Sequence, residues 1–121
     1  MAYIVSNPDT VRVVRNWPVL VSTALDGGNN RIDQIEVDYV VTTQSEIDEV
    51  VKSAQDAGEN VNKALMRAFV RGIYKQFDES NTPIEHNAET FEQALDRSNQ
   101  LGAMVNSFFD VQNGRKAARK N

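Results

Sequence analysis

Hydrophobic positions change period between residues 17 and 51, from every second residue to about every 3.6, with no linker between the two patterns. Trp17, Val19, Val21, Thr23 and Leu25 alternate with Pro18, Leu20, Ser22 and Ala24, as the pleat of a strand requires. Asp26, Gly27, Gly28, Asn29 and Asn30 follow, and since glycine and asparagine tolerate positive φ they predict a hairpin loop. The return strand sets Ile35, Val37, Tyr39 and Val41 on one side and Gln34, Glu36 and Asp38 on the other, which predicts one sheet face in water. Thr43 and Glu46 then form a Thr-x-x-Glu capping box at a helix start, and Ile47, Val50, Val51 and Ala54 give that helix a single apolar stripe. The expected fold class is α+β, an N-terminal antiparallel β-hairpin or small sheet followed by three or four α-helices.

The flanking segments extend this plan. Residues 3–5 and 11–14 are short β-prone runs around the turn-forming Ser6, Asn7, Pro8 and Asp9, and predict one or two added edge strands. Gly58 suits the position after the first helix, and Asn60 or Glu59 starts a second helix to about Tyr74. Val61, Leu65, Met66, Phe69 and Ile73 cover an arc of roughly 140° on it. Residues 77–86 carry turn chemistry and predict a surface loop, with a second hairpin as the alternative. Asn87 can cap a short helix bearing Phe91 and Leu95, and Ser98 a last one running to about Gln112 before Gly114. There Leu101, Met104, Val105, Phe108, Phe109 and Val111 span an arc of roughly 160°, wide enough to need two sets of partners. The organisation expected is a single α+β domain over residues 1–114, with a sheet part at 1–42 and a helical part at 43–114, then a basic flexible tail at 115–121.

Composition narrows the chemistry. With 121 residues and no cysteine, the chain suits one domain without a disulfide framework or thiolate chemistry. No apolar run approaches the roughly 18 residues of a membrane span, and the N-terminus lacks the basic start and apolar middle of a signal peptide, so a soluble cytoplasmic protein is expected. Arg115, Lys116, Arg119 and Lys120 account for four of the 13 basic residues; the rest of the chain holds 9 against 17 acids, a balance of −8 that repels nucleic acid. His86, the single histidine, has no partner at a metal-ligand spacing and is expected to be exposed and inert. Gly27 and Gly28 lack the lysine and following helix of a phosphate loop, and the acids of the first helix fit a solvated face. No enzyme, cofactor or metal site is expected; Trp17 reads as a hairpin or core anchor. Met66, Phe69, Met104, Phe108 and Phe109 fit either a core or an adaptable apolar surface, because thioether chains repack at small cost.

Taken in order, these features resemble the tail assembly chaperones of long-tailed bacteriophages. The match runs from the β-prone start with Asn7 and Pro8, through Trp17, Pro18 and Val19, the glycine hairpin and Thr43 with Glu46, to an aromatic helix followed by Gly114, Arg115 and Lys116. Between residues 72 and 83 the chain departs from the pattern, with Ile73 and Tyr74 after Gly72 where a Trp is expected. The resemblance implies a non-catalytic protein that binds the tape measure protein and recruits tail-tube subunits in the cytoplasm of the infected host, absent from the mature virion. Leu101, Met104, Val105, Phe108, Phe109, Met66 and Phe69 are the expected client-binding residues; Trp17, Gly27, Gly28, Thr43 and Glu46 are the expected structural ones. It also implies a frameshifted longer form of the chain as a partner, for which Arg119, Lys120 and Asn121 allow a slippery codon run. Apart from the resemblance, a homo-oligomer is a further candidate, the oligomeric state being left open by the sequence; nucleic acid and membrane are not expected. The alternatives are a tail-completion or connector protein of the virion and, behind it, a small nucleic-acid-associated regulator using the basic tail.

Overall fold

The long hairpin forms where the alternation places it. In the computed structural model, which describes residues 2–5 and 11–119, strand β1 (Arg12–Ala24) pairs antiparallel with β2 (Asn30–Val41) across a tight turn at Asp26–Gly28. Gly27 and Gly28 adopt φ of 74° and 82°, and the Leu25 N–H closes the turn on the Asn29 carbonyl at 2.8 Å. Leu25 itself lies at this exposed corner and not on the apolar face. Residues 11–14 form no separate strand, since β1 runs through them from Arg12. Residues 3–5 belong to no strand, and the turn expected at residues 6–9 lies outside the described residues, as do Lys120 and Asn121.

Helix α1 (Gln44–Asp56) is capped by Thr43, whose hydroxyl accepts from the Glu46 N–H at 3.3 Å. The other arm of the expected box is redirected: the Glu46 carboxylate accepts from the Thr42 hydroxyl. At the far end the Glu59 N–H reaches Ala54 O and the Gly58 N–H reaches Gln55 O, with Gly58 at φ 70°, a closure that reverses the chain into the Asn60 cap of α2 (Val61–Phe69).

The predicted second helix stops five residues early. Val70–Tyr74 forms β3, which adds to the free side of β2 in the order β1-β2-β3. Ile73 fits the apolar spacing of α2 but is buried instead opposite Val37, and Gly72 sits opposite Asp38. A Cβ at Gly72 would overlap the Tyr74 ring, so the glycine lets that aromatic lie across the strand. The part read as wholly helical therefore returns one strand to the sheet, within the α+β class.

Both neighbours of β2 bulge at one point. Val14 pairs with Tyr39 and Trp17 with Val37, leaving Arg15 and Asn16 opposite Asp38; on the other side Arg71 is the extra residue between Val70 and Gly72. Asn16 takes φ 54° and its N–H donates to Asp38 Oδ1 at 2.8 Å. The bulge keeps Val14 in the same row as Trp17, Val19 and Val21, facing the side of Tyr39, Val37 and Ile35. The opposite sheet face is not uniformly wet as expected: Pro18, Asp38 and Val40 are buried there.

After β3 a turn bridged between Phe77 and Pro83 leads to α3 (Ala88–Leu95), capped reciprocally by Asn87 and Thr90. Helix α4 (Ser98–Gln112) starts with Arg97, not Ser98, at its cap position and has no side-chain cap. It packs against β1, β2, α2 and α3. Its Gln112 amide accepts from the Thr42 N–H and donates to Val40 O, at 2.9 and 2.8 Å, serving the rung of β2 that β3 is too short to reach. Arg67 of α2 grips Glu92 of α3 at 2.6 Å and holds that carboxyl below its usual range, chiefly through the hydrogen bond.

Candidate functional site

The structure separates the seven expected client-binding residues. Met66, Leu101, Met104, Val105, Phe108 and Phe69 are all buried in one cluster, and only Phe109 remains on the surface, 38% exposed. Phe108 stacks on Phe69 with ring centres 5.4 Å apart and lies 6.1 Å from Tyr39. The wide arcs of α2 and α4 are explained inside the chain. Two partner sets were needed, and the sheet supplies one while the other helices supply the second. Six of the seven expected contact residues are therefore core in this fold. Trp17 is half-buried against the core, and Gly27, Gly28, Thr43 and Glu46 shape the turn and the cap.

His86 also differs from its expectation. It is half-buried, its Nδ1 accepts from the Ile73 N–H at 3.4 Å, and its ring lies between Tyr74 and Phe91. It seals the outer edge of β3. Among the described residues no group of three or more His, Cys, Asp or Glu could hold a metal ion, and no helix is long and apolar enough to cross a membrane.

What remains open is a groove of about 1060 Å³ between the far half of the hairpin and the turn after β3. Val21, Ile35, Ile84 and Phe77 give it apolar walls, and Phe77 is 51% exposed. Arg31, Lys75 and Arg97 line it together with Asp33, Glu36, Asp78 and Glu79. At its base Gln100 Nε2 donates to Gln76 Oε1 at 2.7 Å, and Arg97 donates to Gln100 Oε1 at 3.1 Å. This chain of amides is satisfied internally, so the base is polar without being sticky. The turn is held by Asp78, whose Oδ1 accepts from the N–H groups of Ser80 and Thr82.

Sequence reasoning passed over this groove because residues 78–83 read only as turn chemistry. The signal was the pair of large apolar residues, Phe77 and Ile84, bracketing that turn. A second, smaller groove of about 500 Å³ lies between β1 and α4, where Trp17, Pro18 and Leu20 face Gly102, Ala103 and Ser107. Ala118 also lines it, and the Arg115 N–H bonds Asp110 O at 2.9 Å, so the start of the basic tail is seated against the body. None of the family models, curated proteins and solved structures compared with the chain matches it.

Proposed function

We infer that the chain is a tail assembly chaperone of a long-tailed phage, one that holds apolar helical segments of the tape measure protein and helps bring tail-tube subunits to them. The order of motifs from the hairpin through the Thr43 cap to the basic end supports the reading. The observation that carries its physical side is the open groove with apolar walls, a half-exposed Phe77 and charges of both signs around it. An amphipathic helix laid there buries its apolar stripe and keeps its polar face in water, and a single aromatic anchor suits a contact that must later be released.

Co-expression with the tape measure protein tests this. The unmodified chain is expected to keep that protein in the soluble fraction, and Phe77→Asp, a change at a half-exposed position outside the core cluster, to lose most of the effect while melting normally. Equal solubilisation by Phe77→Asp would remove the groove from the account, and no solubilisation by the unmodified chain would remove the chaperone. Mass spectrometry of purified virions checks the stage of action: a chaperone is absent from mature particles, whereas a tail-completion or connector protein stays.

A further inference from the structure

The two edges of the sheet are finished differently. At β3 the outward Ile73 N–H is taken by His86, whose ring is flanked by Tyr74 and Phe91. Between the bulge and the turn of β1, the bond from the Leu25 N–H to the Asn29 carbonyl sets the backbone groups of odd-numbered residues toward β2 and those of even-numbered ones outward. Pro18, which has no N–H to offer, falls on that outward row, as edge prolines do. The outward Ser22 carbonyl is bonded by Asn99 Nδ2 at 3.0 Å. Between them the Leu20 N–H and C=O face the smaller groove, whose far wall is the small-residue face of α4.

Residues 3–5 carry the matching feature. Tyr3, Ile4 and Val5 are 90, 85 and 78% exposed, three large β-prone side chains in succession that form no strand in their own chain. Such a run on a surface is a ready strand for an unpaired edge. Pairing in cis is strained by length. With Ile4 opposite its own Leu20, Val5 would lie beside Val19, roughly 20 Å along β1 from Arg12. The chain joining Val5 to Arg12 spans at most about 25 Å when pulled straight, which leaves almost no slack for the reversal. Two copies meet without that stretch.

We propose that residues 3–5 of one copy add as a strand to the β1 edge of a second copy, opposite Leu20, and that two copies exchange these segments reciprocally. One segment is a small contact, and the reciprocal exchange doubles it and closes the assembly at two. The inference does not rest on the tail-assembly reading.

The absence of native cysteine makes a clean test, because Ile4→Cys with Leu20→Cys supplies the only thiols. Oxidation is expected to give a covalent dimer on a non-reducing gel. A disulfide closed within one chain, or thiols that stay free at high protein concentration, overturns the proposal. Sedimentation of the unmodified chain is expected to show a concentration-dependent dimer, and deletion of residues 2–5 to weaken it roughly tenfold or more with the melting temperature unchanged in dilute solution. A monomer at every concentration, or a dimer that survives the deletion, equally overturns it.

Discussion

Tyr39 shows how one residue ties the central strand to the last helix. Its ring is fully buried and its hydroxyl donates to the Met104 carbonyl of α4 at 2.7 Å, across a separation of 65 residues. Burial, reinforced by the charge of Asp110, pushes the phenol far above its usual range, so it remains a neutral donor. Tyr39→Phe keeps the ring and removes the bond; a loss of about 1–2 kcal/mol is expected in chemical denaturation, with the slope unchanged. The alternation of β2 placed Tyr39 on the inner face from sequence. It did not reveal the partner of the hydroxyl, because that contact depends on how α4 crosses the sheet. The same holds for His86, whose neighbours in sequence are polar and whose neighbours in space are a strand edge and two aromatic rings.

Elements were legible where their signals are local. The corner between α1 and α2 is one: Gly58 at φ 70° and the Asn60 side chain accepting from the Lys63 N–H both follow from residue chemistry. A Cβ at Gly58 meets nothing within 4 Å, so Gly58→Ala is expected to cost only the backbone strain, about 1 kcal/mol, and Gly58→Asn less. Paired thermal melts would read the difference, and equal melting of all three proteins would contradict the strain argument. The junction of α2 with β3 was not legible. Val61, Leu65, Met66, Phe69 and Ile73 keep helical spacing, yet Val70 leaves the helix because pairing with β2 outweighs that local preference. The sequence signs of the change were Gly72, a poor helix residue, and the strand-prone Val70, Ile73 and Tyr74 around it.

At the scale of the molecule, the adjacent Phe108 and Phe109 separate core from surface. Phe108 is fully buried between Phe69 and Tyr39, while Phe109 is 38% exposed. Phe108→Ser is expected to cost about 3–5 kcal/mol and to unfold much of the population, whereas Phe109→Ser should stay within about 1 kcal/mol of the unmodified chain. Urea titration of the two variants decides whether the apolar arc of α4 is internal; similar midpoints would mean that it is not. By itself the sequence determined the hairpin, its glycine turn, the caps of α1, α2 and α3 and the α+β class, because each follows from backbone preference and a periodicity visible over a few residues. Only the tertiary structure decided that β3 joins the sheet, that the aromatic arcs of α2 and α4 face inward, and that the open surfaces are a groove at Phe77 and the edge of β1. Those outcomes depend on which elements meet across the fold, and a wide apolar arc reads the same in sequence whether its second partner is another part of the chain or another molecule.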